Sequence, residues 1–236
     1  IILLLCNLII IGFFFTKHQI LKISLIALLG IIAISTFFFP VDRYLKSYLF
    51  VNQEIISHKN TPYGNLTITK NAEQINFYEN GESVFALHTN NYVTDEERVH
   101  YAMIQHREAK NVLVVSGGLT GVFNEIQKYP VDSIHYVELN SYLIETALSF
   151  ADTLINSKIR VIYKDARLFI KNTKNRYDVI LVNLPDPHTL GLNRFYTLEF
   201  FKELKSVLNS NGVVCFSLSG AANYISDESS QLLSSV

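Results

Sequence analysis

Cysteine is almost absent from this chain. Cys6 and Cys215 are the only two, one in a greasy leader and one in a predicted core strand, so no disulfide is expected. The seven histidines are scattered, with no H-E-x-x-H and no Cys/His cluster, so no metal site is expected. An excess of either charge is lacking too. Twenty Lys and Arg against 21 Asp and Glu leave a formal net charge of −1, which gives no drive toward nucleic acid or anionic lipid. Charged residues amount to only 17%, against 49% apolar, and the apolar excess sits in residues 1–39. A signal peptide would need a basic start and a small-residue cleavage site, and neither is visible.

That leader has two apolar runs. Residues 1–15 are interrupted only by Asn7; residues 16–19 (Thr-Lys-His-Gln) break the pattern, and a second run covers residues 20–39. A stretch of about 20 apolar residues crosses a ~30 Å hydrocarbon layer. The expectation is a transmembrane hairpin over 1–39, with a buried core helix pair as the alternative. The first residue is Ile rather than Met, so the start of the first span, and further spans, are expected upstream. Lys17 and Lys22 at one end balance Arg43 and Lys46 at the other, and the positive-inside count is a tie. Residues 41–56 carry Tyr44, Leu45, Tyr48, Leu49 and Phe50, which suits an interfacial helix or a linker helix packed on the next domain; the linker is set at 40–60.

From there the period changes to two. Strands are expected at 66–69, 74–79 and 83–88, with Asn80-Gly81 as a hairpin turn in which both residues need positive φ. A small β-hairpin domain is therefore placed at 61–92. Thr94 to Glu97 reads as a helix cap with an acidic first turn, and the helix runs to about 107.

The pocket signal lies in residues 111–121, Asn-Val-Leu-Val-Val-Ser-Gly-Gly-Leu-Thr-Gly. An apolar run (Val112 to Val115) gives a buried strand; Ser116, Gly117 and Gly118 turn the chain, and a helix starts after Gly121. A second strand over 133–137 ends at Glu138. That is about 20 residues past Gly118, the offset at which a carboxylate accepts ribose hydroxyls. Ser116 breaks the G-x-G-x-x-G fingerprint, and no Tyr-x-x-x-Lys pair is evident, which disfavours a dehydrogenase. Further strands are expected at 159–163, 177–182 and 213–218, with helices at 140–151, 165–171 and 196–208 and a long loop over 184–194. The fold class is α/β, with a Rossmann-like parallel sheet at 93–236 whose ligands sit at the carboxyl ends of the strands. Glu138, Asp165 and Asn183 to Pro187 all fall there. The chain stops inside what reads as another helix, so more of the sheet is expected beyond 236.

The ordered set Thr61-Pro62-Tyr63-Gly64, Asn80-Gly81, Asp95-Glu96 with His100, the glycine loop, Val137-Glu138-Leu139-Asn140, Asp165-Ala166, Tyr177 to Ile180, Asp186-Pro187 and Phe195 to Phe201 resembles the spermidine synthase family of polyamine aminopropyltransferases. It is most similar to their membrane-anchored bacterial relatives. The resemblance implies a class I methyltransferase-like sheet behind a small β domain. It also implies decarboxylated S-adenosylmethionine as co-substrate and a polyamine such as putrescine as acceptor. By the same resemblance Ser116, Gly117, Gly118 and Gly121 pass under the donor's sugar, and Glu138 accepts its ribose hydroxyls. Asp165 takes the adenine amino group and the Ala166 N–H the ring. The amine site would draw on Asp186, Asn183, Tyr63 and His100. Tyr63 and His100 also have plain readings, as a core residue and a helix-surface residue.

Three positions depart from the family pattern. Asn183 replaces the first Asp of Asp-Ser-x-Asp-Pro, Leu119 the acid of the glycine loop, and Val99 a channel Tyr. An amide takes no proton at neutral pH, so the amine half looks eroded beside an intact adenosine half. Three readings follow: an active aminopropyltransferase, a methyltransferase using intact S-adenosylmethionine, or a non-catalytic nucleoside- or polyamine-binding module. The expected setting is multi-pass in the inner or plasma membrane, the lipid bilayer as partner and the soluble domain facing the cytoplasm. No nucleic acid is expected, and a homodimer is left open.

Overall fold

The computed structural model describes residues 2–38, 48–88, 92–106, 108–151 and 155–218, with isolated positions between 225 and 234. The chain divides into two units, residues 1–54 and 55–236.

The first unit holds α1 (Ile2–Phe15) and α2 (Gln19–Phe38). The two helices come close where Gly12 lacks a side chain; a Cβ there would stand 3.6 Å from Leu25 Cδ1. Lys22 Nζ lies 5.3 Å over the Phe13 ring. Among the described residues no helix is long and apolar enough to cross a membrane. The expected transmembrane hairpin over 1–39 is thus not supported by the described helices. The 14 residues of α1 give about 21 Å of helix, short of a ~30 Å layer, and Gln19 and Lys22 take the first turn of α2 out of its apolar stretch. Of the expected helix over 41–56, residues 41–47 lie outside the described residues, and 48–56 are turn and the start of a strand rather than helix.

In the second unit, β1 (Glu54–Thr61), β2 (Gly64–Asn71), β3 (Gln74–Glu79) and β4 (Glu82–Leu87) form a sheet in that order. Residues 54–60 were expected as linker. They carry no period-two apolar signal because β1 lies at the edge of the sheet and meets β2 partly through polar groups, with His58 Nδ1 2.9 Å from Thr67 Oγ1. The Asn80-Gly81 turn has φ of 55° and 87°, both left-handed as its sequence requires, and Asn80 Oδ1 accepts the Asn65 N–H at 2.9 Å.

The chain then runs α3 (Tyr92–Met103), β5 (Asn111–Val115), α4 (Val122–Ile126), β6 (Ser133–Glu138), α5 (Ser141–Leu148), β7 (Ile159–Tyr163) and α6 (Ala166–Asn172). β8 (Tyr177–Val182), α7 (Leu190–Asn193), α8 (Leu198–Ser206) and β9 (Leu208–Phe216) follow. The five strands pair in parallel in the order β7-β6-β5-β8-β9. Alternate residues feed opposite faces, as the strand pleat requires. Val112, Val114, Tyr136 and Leu181 join Phe77 and Phe85 of the small sheet in one core. Leu113, Val115, Val137 and Val182 join Phe195 and Phe200 in the other. Covering on both faces explains why β8 is buried at every position and reads as an apolar run from Val179 to Val182. The chain steps outward from β5 to β6 and β7, then crosses back to β8 on the other side of β5, and this reversal opens a crevice at the strands' carboxyl ends.

Asp178 fastens the opposite, amino-terminal end. Its Oδ2 accepts the Lys110 and Asn111 N–H groups at 2.8 and 2.9 Å, and Oδ1 accepts Asn209 Nδ2 at 2.6 Å. Burial pushes its pKa up, but the donors from Asn111, Asn209 and Lys110 outweigh that and hold it below the usual aspartate value. A depressed carboxylate stabilises the fold above its unfolded pKa and loses that contribution as the pH falls through the folded value. Asp178→Ala, which strands three donors, is expected to lower stability by about 1–3 kcal/mol at pH 7 in urea unfolding. The loss should shrink below pH 4; an equal loss across that range would refute this role.

Candidate active site

The glycine loop begins at the end of β5 with two left-handed residues, Ser116 (φ 56°) and Gly117 (φ 58°). Gly117 has no alternative, since a Cβ there would stand 2.7 Å from Asn183 Cβ and 2.8 Å from Asn183 O at the end of β8. Gly121 is pressed against α3. Asp95 accepts its N–H at 2.8 Å and the Thr120 hydroxyl at 2.8 Å, where a Cβ would stand 2.8 Å from Asp95 Oδ2. Asp95 reads as a helix-start residue in sequence; the fold uses it to fix the loop.

Glu138 leaves the tip of β6 buried and fully engaged. Oε2 accepts the hydroxyls of Ser116 (2.9 Å) and Tyr136 (3.1 Å); Oε1 accepts the N–H groups of Leu139 (2.9 Å) and Asn140 (3.3 Å). Burial pushes its pKa up, and the donors from Ser116, Asn140, Tyr136 and Leu139 offset that only in part. Burial also drives the Tyr136 phenol well above its ordinary value, and the Glu138 charge adds to it.

Asp165 caps α6, its Oδ1 accepting the Leu168 N–H at 2.9 Å. Its Oδ2 accepts from Arg194 Nη2. Burial would raise its pKa, but the bonds from Arg194 and Leu168 outweigh burial and hold it low. Ser116, Glu138, Asp165, Ala166 and Tyr63 all line one cavity of about 510 Å³. Gly117, Gly118 and Gly121 are not among its lining residues; they shape the turn beneath it.

A second cavity of about 700 Å³ adjoins the first and shares Glu82, Ser83, Leu184 and Pro185 with it. Asn183 and Asp186 line it, together with Glu97, Arg98 and His188. Asn183 Nδ2 is buried without a hydrogen-bond partner. Tyr196 donates to the carbonyls of Leu184 (3.1 Å) and Pro185 (2.9 Å) and so pins the strip between the cavities. Burial first, then the Asp186 charge, pushes its phenol up to about 12.

His100 lines neither cavity. Its Nδ1 lies 2.7 Å from the Tyr129 hydroxyl and its Nε2 3.1 Å from Glu125 Oε2, so it joins α3 to the α4 region. Leu119 and Val99 are wholly buried in the core. Sequence reasoning missed Glu82, Glu97, Arg98 and His188. The helical spacing of Thr94, Glu97, Arg98 and Tyr101, a polar face opposite buried Val99 and Ala102, was the available signal for the α3 wall.

Comparison with known proteins agrees with this geometry. A family model described as the spermine/spermidine synthase domain matches residues 92–233. The chain is 31% identical over 180 residues to polyamine aminopropyltransferase 2 of Aquifex aeolicus (strain VF5), covering 70% of this chain and 34% of that protein. It is 29% identical over 207 residues to the polyamine aminopropyltransferase of Leptospira interrogans, covering 84% and 41%. The chain thus spans well under half the length of these curated relatives. Among solved structures, a spermidine synthase in complex with the transition state analogue AdoDATO aligns with a TM-score of 0.61 at 21% identity, over 68% of this chain and 57% of that one. The spermidine synthase of Thermotoga maritima aligns with a TM-score of 0.59, also at 21% identity, over 68% and 56%. At that identity the likeness is one of fold. Since the matched domain takes in the whole parallel sheet with its glycine loop and strand-tip acids, the chain belongs to the spermine/spermidine synthase family.

Proposed function

We propose that this chain is the nucleoside-binding part of an aminopropyltransferase that moves the aminopropyl group of decarboxylated S-adenosylmethionine onto a polyamine such as putrescine. The observation that carries this reading is the meeting of Glu138 and Asp165, from the tips of two adjacent strands, in one cavity with Ser116 and Tyr63. Glu138 is suited to the ribose hydroxyls and Asp165 to the adenine amino group. The adjoining cavity, with Asp186, Glu82 and Glu97, suits a cationic amine. In the reaction the amine nitrogen forms a bond to the carbon on the sulfonium sulfur, the C–S bond breaks, and a neutral thioether leaves. The amine must shed a proton, and Asp186 is the acid of the family motif that remains to take it.

Leu119 and Asn183 favour a second reading. With a buried leucine in the glycine loop and an amide at the tip of β8, the chain would bind an adenosyl nucleoside without aminopropyl transfer, as a binding module or as a methyltransferase using S-adenosylmethionine. The first unit adds a proposal on location. Phe14, Phe15 and Ile20, exposed by 77, 84 and 86%, support seating the helical pair in lipid, with the nucleoside domain in the cytoplasm where its donor is made.

Glu138→Gln is expected to weaken 5′-methylthioadenosine binding about tenfold or more in calorimetry, because the amide cannot accept from both hydroxyls as strongly. In the parent chain, affinity should hold at neutral pH and fall as acid protonates Glu138, with a midpoint above the ordinary glutamate value. Absence of binding by the parent chain would sink the proposal. Asn183→Asp should raise turnover of putrescine toward the ~10²-fold that a positioned base contributes. Unchanged turnover with the donor bound would favour the non-catalytic reading. Carbonate-washed membranes from cells expressing the chain should retain it, and recovery in the wash would count against a lipid seat.

A further inference from the structure

The carboxylates suited to the nucleoside are already occupied by donors from the chain itself. At Glu138 the Ser116 hydroxyl stands where a ribose hydroxyl would donate. At Asp165 the competition is stronger, because the occupant is a cation. Leu168 N–H takes Oδ1 and the Arg194 guanidinium takes Oδ2. The same guanidinium donates through Nε to the Gly191 carbonyl of α7 at 3.1 Å and lies 4.5 Å from the Phe195 ring centroid. Gly191, Arg194 and Phe195 are all wall residues of the 510 Å³ cavity.

The Arg194 backbone is held by other means. Its carbonyl accepts from Arg167 Nη1 at 2.8 Å, and Arg167 is itself clamped to Glu203 by two bonds of 2.7 and 2.9 Å. The Arg194 side chain can therefore leave Asp165 while its main chain stays in place. Its side chain is 41% exposed, so water is at hand to receive the freed guanidinium.

We propose that Arg194 is a self-occluding latch: its guanidinium fills the acceptor of Asp165, and the incoming nucleoside must displace it. This rests on reading the cavity as the adenosyl site. The apparent affinity is then the intrinsic affinity reduced by the fraction of molecules with the latch open. Displacement also removes the bond from Arg194 to Gly191, so occupation of the cavity loosens one tie of α7.

The test is calorimetry of 5′-methylthioadenosine, an uncharged ligand, against the parent chain and Arg194→Met, which keeps an apolar stem. The variant should bind several-fold tighter at low salt. Rising salt should tighten binding by the parent chain, because salt screens the half-exposed ion pair, and leave the variant unchanged. A variant that keeps the parent's unfolding midpoint yet binds no tighter, or binds more weakly, overturns the latch and leaves the adenosyl reading standing. Failure of both proteins to bind overturns the adenosyl reading and the latch with it.

Discussion

A buried carboxylate with four donors holds this site together. Glu138 ties the loop after β5 to the tip of β6, and it does so from inside the fold, where an unpaired charge would be strongly disfavoured. Ser116 occupies a backbone region that suits glycine, and its bond to Glu138 compensates for that strain. The loop, the acid and the neighbouring Tyr136 hydroxyl thus form one polar cluster on an otherwise apolar sheet. The cavity above inherits its shape from that cluster.

Around it the molecule divides its labour by strand tip. β6 ends in Glu138, Asp165 caps α6 after β7, and Asn183, the residue after β8, lies against Gly117. The first two face one cavity and the third faces the other, with Leu184 and Pro185 on the boundary. Under the proposed transfer the first cavity would take the nucleoside and the second the amine, the two meeting at the shared strip. Leu119 and Val99 both lie in the hydrophobic core, away from either cavity wall.

Much of this was legible in the sequence wherever a local rule applied. The strands at 159–163 and 177–182 appear with the expected bounds, because each is a mostly apolar segment with a single charged residue, Arg160 in one and Asp178 in the other. The Asn80-Gly81 turn was readable from backbone chemistry alone. β1 was not, because a polar edge strand leaves no alternation to find. α7 hid in an expected loop because four residues carry no period, and β9 starts earlier than its apolar run suggests. His100 shows the reverse failure. Its place in a motif suggested chemistry, but its helix turns it toward Glu125 and Tyr129.

By itself the sequence determined the alternation of strand and helix, the turn under the cavity and the acids at the strand tips, since these depend on residues near one another in the chain. Tertiary structure alone decided which groups meet. Asp165 finds Arg194, Glu82 finds His188 across the two sheets, and Asp95 reaches Gly121. Those pairings follow from strand order and from the reach of long side chains, neither of which hydrophobic period encodes. The same acid could therefore be named from sequence, while the cation that guards it could be assigned only once the strands were set side by side.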